Sequence, residues 1–200
     1  MTEQVFTQAP WSLKDLYAGF DDSKYKAAFE EVKAGVEEFQ AYRDQLKPEI
    51  SEDLFIGIIT EYEHFFRLMS RLNGFAQLAF AADTQDEKAQ AEVARVDQFQ
   101  AEMSNKTIFF SLWWKALDDE NADRLLNVSG DFRYWLETMR NFKDFTLSEP
   151  EEKIINIKDV TGVNALNMLY DSITNRYVFK LEIDGEEKEM TRGEISALVR

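Results

Sequence analysis

Apolar residues at helical spacing dominate the middle of the chain, in two long stretches. The first begins after Ser51, a residue type that caps helices, and runs to about Ala82. The second runs from a polar turn at residues 83–86 toward Leu117. Because only that short turn separates them, the two stretches predict a long antiparallel helical hairpin, which commits the chain to helices packed on helices. The apolar positions are Leu54, Ile58, Tyr62, Phe65, Leu68, Leu72, Phe75, Val93, Val96, Phe99 and Met103.

The residues before the hairpin also carry helical signals. An irregular arm at residues 1–10 leads into a short turn at residues 11–17, for which Ser12 is the expected cap. A helix is then predicted from Asp22 to Pro48, because its apolar residues lie three, four or seven positions apart and proline ends a helix. These apolar residues are Tyr25, Phe29, Val32, Val36, Phe39 and Leu46.

Further helical segments are predicted after the hairpin. A short helix lies within residues 118–130, and residues 132–145 again carry helical spacing. Residues 149–157 and 163–176 predict two more helices. Gly162 is expected to separate this last pair, because glycine accepts the left-handed backbone at which many helices end.

The pattern changes from helix to strand at Tyr177. Apolar and polar residues alternate from there to Asp184, as in a strand with one buried face, and Asp184-Gly185 suits a two-residue turn. We therefore expect a β-hairpin at residues 177–190, with helices covering its apolar face because an isolated hairpin is only marginally stable. The predicted fold class is mainly α, an antiparallel helical bundle with one small β-hairpin near the C-terminus.

A capping box opens another helix close to the end of the sequence. Thr191 is followed three residues later by Glu194, so the two side chains can satisfy each other's backbone N–H groups. After Glu194 no glycine, asparagine or proline closes this helix before Arg200. We therefore expect that residues 1–200 form a single helical lobe and that the natural protein continues beyond it.

Composition restricts the classes of function. The chain has 200 residues, of which 44% are hydrophobic and 14% aromatic, enough for one ordered core. Its 38 acidic and 23 basic residues give a formal charge of -15, which repels nucleic acid and anionic membranes, so neither is expected as a partner. The sequence has no cysteine, no signal-peptide pattern and no membrane-spanning run, so we expect a soluble, cytoplasmic protein.

One short motif combines a carboxylate with an imidazole. Glu61 and His64 form an E-x-x-H pattern, which on a helix is typical of carboxylate-bridged di-iron bundles. Such a centre needs a second E-x-x-H on another helix, and His64 is the only histidine of the chain. An ordinary surface or packed histidine is therefore the preferred interpretation, and the di-iron enzyme ranks last among the functions considered.

A second motif resembles the start of a calcium loop. Residues 119–123 carry alternating oxygen ligands, as at the beginning of an EF-hand. The sixth position of such a loop should be glycine and is Arg124, whereas the twelfth should be glutamate and is Gly130. An acidic turn that begins a helix is the better interpretation.

Aromatic pairs at helical spacing allow two interpretations. They could line a groove that recognises peptides, sugars or bases, but such pairs also bury large areas where helices meet. Packing in the core is the preferred interpretation. The residues concerned are Phe109, Phe110, Trp113 and Trp114, together with Tyr62, Phe65 and Phe66.

Four features, taken in order along the chain, carry a family resemblance. They are Trp11-x-Leu13-x-x-Leu16-Tyr17, Asp83-Thr84-x-Asp86, Leu147-Ser148-Glu149-x-x-Glu152-Lys153, and Asp184-Gly185 leading into Thr191-x-x-Glu194. Their order and spacing resemble the amino-terminal lobe of the oligoendopeptidase F family, zinc metallopeptidases related to thimet oligopeptidase that cut short peptides. The resemblance implies a helical lobe forming one wall of a deep substrate channel, with a downstream catalytic lobe and an oligopeptide substrate as partners.

The catalytic chemistry implied by the resemblance belongs to the other lobe. In the family, an H-E-x-x-H motif and a further glutamate hold zinc, which activates water for attack on the peptide carbonyl. Residues 1–200 contain no such motif, so we predict no catalytic, cofactor-binding or metal-binding residue here and expect zinc in the missing catalytic part. This chain alone is predicted to be inactive.

A stand-alone helical module that binds a protein or peptide without enzymatic activity is the alternative. Such a module predicts a complete fold with a measurable ligand. A lobe of a larger enzyme instead predicts an exposed apolar face where the missing domain docks.

Overall fold

The computed structural model describes residues 12–183 and 185–198. The predicted arm at residues 1–10 lies outside the described residues, as do Trp11, Asp184, Val199 and Arg200. Within the described part the fold is mainly helical with one β-hairpin, and the predicted class is confirmed. The helices are α1 Ser23–Gln40, α2 Glu52–Ala82, α3 Glu87–Ala116, α4 Asp119–Val128, α5 Arg133–Arg140, α6 Glu149–Asp159, α7 Ala165–Thr174 and α8 Arg192–Leu198, and the strands are β1 Val178–Ile183 and β2 Glu186–Thr191.

The long hairpin predicted from the apolar spacing is formed by α2 and α3. The Ser51 hydroxyl accepts the Leu54 N–H at 3.3 Å and the Asp86 carboxylate accepts the Lys88 N–H at 2.8 Å, so the predicted cap begins α2 and the last residue of the predicted polar turn caps α3. The helices run antiparallel. Near the start of α2 the ring of Phe55 stacks on Trp114, 5.4 Å away, at the end of α3.

Helix α1 packs on this pair but is shorter than the sequence predicts. Its start at Ser23, capped by Asp22, agrees with the prediction, and its apolar stripe is buried against α2 and α3. The predicted continuation to Pro48 is wrong, because α1 ends at Gln40 and the chain tightens into a 3₁₀ turn at Arg43–Gln45. That turn redirects the backbone toward α2 before the proline is reached.

The turn predicted at residues 11–17 is present in its described part. The carbonyl of Leu13 accepts the N–H groups of Leu16 and Tyr17, and the Ser12 hydroxyl accepts the Lys14 N–H at 3.4 Å. Tyr17 is buried against the rings of Tyr25 and Phe75.

Helices α4 and α5 close one end of the bundle. The indole Nε1–H of the buried Trp114 donates to the Leu136 carbonyl of α5 at 2.9 Å. The Arg140 guanidinium donates to the carbonyls of Trp114 and Leu117, which are left without partners where α3 ends. These bonds fix α5 to the end of the central hairpin, within the predicted segment 132–145.

The two helices predicted on either side of Gly162 form one continuous helix, so the predicted break is wrong. Helix α6 passes directly into a π-helical segment at Val160–Asn164 and then into α7. Among the described glycines only Gly130 and Gly185 have a positive φ, so Gly162 does not end a helix. The wider π turn absorbs an extra residue instead of terminating the helix.

Strands β1 and β2 form the predicted hairpin, antiparallel and in a register that pairs Phe179 with Met190. Gly185, with φ at 80°, supplies the left-handed backbone that a two-residue turn requires. The expectation that helices cover the apolar face is wrong for the described residues, because Tyr177 and Phe179 remain 51% and 40% exposed.

The capping box of the last helix is confirmed. The Thr191 N–H donates to the Glu194 carboxylate at 2.7 Å, and the Glu194 N–H donates to the Thr191 hydroxyl at 3.4 Å. Helix α8 therefore starts directly from the end of β2, and the two elements contact each other.

The buried stripe of α2 can be tested with two leucines on the same helix. Leu72 is fully buried and Leu78 is 39% exposed. Leu72→Ala should lower the free energy of unfolding by about 3 kcal/mol, because it leaves a cavity in the core. Leu78→Ala should lower it by less than about 1 kcal/mol. Urea unfolding followed by circular dichroism measures both, and equal losses would contradict the assigned core face.

Candidate functional site

We call α6, the π segment and α7 together the C-terminal helix (residues 149–174); the β-hairpin and the short α8 follow it. An ion pair attaches the start of this helix to the bundle. The Arg43 guanidinium donates to both Glu149 carboxylate oxygens, at 3.0 and 2.7 Å, and lies 4.5 Å from the centre of the Phe109 ring. Lys153 contacts the same carboxylate at 2.6 Å. Hydrogen bonds from Arg43 and Lys153 lower the pKa of Glu149 to about 2.

The residues just before this helix cap it. The Ser148 N–H and hydroxyl both donate to the Glu151 carboxylate, at 3.0 and 2.6 Å. The Leu147 N–H donates to the Glu152 carboxylate at 3.0 Å. The motif singled out in the sequence at residues 147–153 is therefore a structural device that starts the helix and anchors it to the bundle.

Two further polar contacts hold the C-terminal helix. On α3, the Asn105 side chain donates to the Lys153 carbonyl at 3.2 Å and accepts a hydrogen bond from Asn156 at 3.0 Å. Just beyond the other end, the Arg176 guanidinium donates to Gln85 in the α2–α3 turn at 2.7 Å. The helix is thus tied to the bundle at both ends by polar side chains.

Most large apolar side chains of the C-terminal helix point away from the bundle. An amphipathic surface helix ordinarily buries its apolar stripe, so this orientation is reversed. We call the exposed side chains, together with two from the adjoining hairpin, the apolar face; each is between 40% and 65% exposed. They are Ile154, Ile155, Ile157, Val163, Leu166, Leu169, Tyr170, Ile173, Tyr177 and Phe179.

The opposite, polar side of the C-terminal helix lines a cleft against α2 and α3. The cleft has a volume of about 420 Å³. Its carboxylates are Asp97 on α3 and Asp159 and Asp171 on the C-terminal helix. We call it the polar cleft. Its amide side chains are Asn73, Gln77, Gln100, Asn156, Asn164 and Asn167.

The E-x-x-H motif is an exposed surface feature. The Glu61 carboxylate accepts the Tyr42 hydroxyl at 2.8 Å, whereas His64 Nε2 lies 3.5 Å from the Glu31 carboxylate. Glu61 and His64 therefore face different neighbours. No group of three His, Cys, Asp or Glu side chains within residues 12–183 and 185–198 could hold a metal ion.

The acidic turn at residues 119–123 begins α4, as preferred from the sequence. The Asp118 carboxylate caps the helix by accepting the Asn121 N–H at 2.9 Å. The Arg124 guanidinium donates to the carbonyls of Pro48 and Ile50, both at 3.0 Å. The segment that would form a calcium loop is therefore a helix docked on the α1–α2 connection.

The aromatic residues considered for a groove belong mainly to the core. Phe109, Phe110, Trp114 and Phe65 are buried, Trp113 is partly buried, and Tyr62 packs against the core, so the packing interpretation is confirmed for them. It is wrong for Phe66, which is 51% exposed beside Tyr62.

Sequence reasoning did not find the polar cleft. Its available signal is the run of Asn and Asp at positions 156, 159, 164, 167 and 171, which repeats every three to five residues along a predicted helix. Periodicity alone assigns such a polar stripe to solvent. Only the tertiary structure places it against α2 and α3.

No helix among the residues that the structure describes has the length and apolar character needed to cross a membrane.

The ion pair at Glu149 makes a pH-dependent contribution to stability. Because the pKa of this carboxyl is lowered from 4.5 to about 2, the contribution is present at pH values above 4.5 and is lost as the pH falls toward 2. Glu149→Gln should lower the free energy of unfolding by about 1 kcal/mol at pH 7, and the gap to the unsubstituted chain should narrow as the pH falls from about 5 to about 2. Urea unfolding at several pH values measures the difference in the free energy of unfolding between the two chains.

Glu120→Gln is the control for this experiment, because Glu120 is exposed in the first turn of α4. It should shift stability by less than about 0.5 kcal/mol. A Glu149→Gln effect that stays constant as the pH falls would contradict the role of the charge.

Comparison with known families gives a match that begins in the last turn of α3 and ends in β1. A family model described as oligopeptidase F, for the N-terminal domain of M3 peptidases, matches residues 113–179. No significant match was found among curated proteins or among solved structures. Over residues 113–179 this chain matches the N-terminal domain of oligopeptidase F-type peptidases, which confirms the family resemblance for that segment.

Proposed function

We propose that this chain is the non-catalytic N-terminal lobe of a zinc-dependent oligoendopeptidase that hydrolyses short peptides, and that it forms one wall of the substrate channel. The proposal rests on one observation, which is that the family match and the apolar face occur in the same segment of the chain. The segment that matches the family model, residues 113–179, contains the whole apolar face. The family-specific part of the chain is thus also the part that displays an uncovered apolar surface.

The exposure of these apolar side chains supports a docking role. Large exposed apolar patches usually mark interaction surfaces. Leu166 and Leu169 are 65% and 53% exposed on successive turns of α7, and Phe179 continues the face onto β1. A catalytic lobe packed on this face would bury the stripe that the helical bundle leaves exposed.

The residues of this chain do not fit the zinc site that the family implies. An H-E-x-x-H site requires two imidazoles, and His64 is the only histidine in the sequence. His64 is also on the surface of α2, beside Glu31. The catalytic residues therefore belong, under this proposal, to a downstream lobe, and this chain contributes shape and support to the channel.

The stand-alone interaction module receives less support from the structure. Most of the aromatic side chains that could have lined a binding groove belong to the core: Phe110 and Trp114 are fully buried and Phe109 is 5% exposed, whereas Phe66 is 51% exposed. The buried rings hold the bundle together and offer a ligand little surface.

The proposal predicts that activity requires this chain together with the downstream region of the same gene. The chain alone, supplied with zinc, should not cleave quenched fluorescent peptides. Adding it to the separately produced downstream region should restore zinc-dependent cleavage. Leu166→Asp with Leu169→Asp should reduce that restoration at least about tenfold, because two charges would be placed in the apolar contact. The rate of fluorescence increase measures each case.

Tyr134→Asp is the matched control, because Tyr134 is 79% exposed on α5 and is not part of the apolar face. It should leave the restoration unchanged. Chelator-sensitive cleavage by this chain alone would refute its non-catalytic assignment. A reading frame without an H-E-x-x-H motif after Arg200 would overturn the whole proposal.

A further inference from the structure

The polar cleft has the dimensions of a small-ligand site. Its volume of about 420 Å³ lies within the range of roughly 300–1,000 Å³ that is common for ligand pockets. Helices α2 and α3 form one wall, and the C-terminal helix forms the other. The C-terminal helix is tied to the bundle by Asn105 near one end, and Gln85 accepts a hydrogen bond from Arg176 just beyond the other end.

The π segment lies in the wall of the cleft. Its first and last residues, Val160 and Asn164, line the cleft, while Val163 is 56% exposed on the apolar face. Short π segments within α-helices frequently occur at functional sites.

The lining of the cleft is rich in acceptors and contains no cation. Carboxylates come from both walls, Asp97 from α3 and Asp159 and Asp171 from the C-terminal helix, and six amide side chains also line the cleft. No lysine, arginine or histidine is among the described lining residues. The cleft is therefore a region of negative potential in which a positively charged group would be stabilised.

Asp97 is the most buried of the three carboxylates in the cleft. It makes no hydrogen bond or ion pair with another side chain in the described part of the chain. Burial raises the pKa of Asp97, because desolvation acts without a compensating charge. Apolar surface for an alkyl chain is available beside it from Val93, Phe80 and Met168.

We propose that the polar cleft binds an organic cation carried on an alkyl stem, a guanidinium or primary ammonium group, with Asp97 as its principal anionic contact and Asp171 as the contact from the opposite wall. The stem lies against Val93 and Met168, and the amides of the cleft accept the remaining N–H groups of the cation. Basic side chains of peptides and small amines both present this chemistry. This inference depends on the cleft alone and stands apart from the proposed peptidase role.

Titration of the isotopically labelled chain by NMR tests the proposal. The probes are N-acetyl-arginine amide, N-acetyl-lysine amide and N-acetyl-citrulline amide, the last being a neutral isostere of the first. One or both cationic probes should shift the amide signals of residues around Asp97 and Asn164 and bind at least about tenfold more tightly than the citrulline probe. The comparison of arginine with lysine identifies which cation the cleft prefers.

Two substitutions locate the binding site. Asp97→Asn keeps the size of the side chain and should weaken binding of the preferred cation at least about tenfold. Asp171→Asn should weaken it as well, and it provides an independent variant on an exposed position. Asp123→Asn, on the exposed surface of α4 and outside the cleft, should leave affinity unchanged. Equal affinity for the arginine and citrulline probes, no binding of either cation, or undiminished binding by Asp97→Asn would overturn the proposal.

Discussion

Aromatic packing between α1, α2 and α3 holds the rest of the structure in place. Near the end of α1, the ring of Phe39 lies 5.3 Å from Phe65 on α2 and 5.6 Å from Phe109 on α3. Buried rings of this kind contribute large apolar areas and prefer inclined contacts, which fix the relative rotation of the helices. Trp114 continues this packing to α5 through its hydrogen bond to Leu136. The three helices therefore form a rigid base to which the later elements are attached.

The C-terminal helix is attached to that base by a different kind of interaction. The ion pair with Arg43, the hydrogen bonds with Asn105 and the bond that Arg176 donates to Gln85 position it, while its apolar face turns outward. Polar contacts at partly exposed positions contribute little net stability but impose strict geometry. The base thus supplies most of the folding free energy, and the polar contacts set the position of the cleft and of the apolar face.

Local signals predicted the base well and the C-terminal helix less well. Ser51 and Asp86 mark the starts of α2 and α3 because capping is decided by neighbouring residues, and α2 ends at Ala82 as predicted. The sequence misplaced the end of α1, where a 3₁₀ turn at Arg43–Gln45 follows instead of further α-helix, and Arg43 in that turn pairs with Glu149, a residue distant in sequence. The sequence signal at Gly162 correctly located an irregularity, but a π turn and a helix end cannot be distinguished by a single glycine. The polar cleft depends on tertiary contacts, so periodicity could not predict it.

The reversed orientation of the C-terminal helix links the two proposed surfaces. A helix with an apolar and a polar side can bury only one of them against the base, and here the polar side, with Asn156 and Asn164, faces inward. The apolar side, with Leu166 and Leu169, must then be covered from outside if its surface is to be removed from water. Natural sequences depart from the usual burial pattern mainly where function requires it. Turning the helix the other way would bury the leucines and eliminate both the docking face and the cleft.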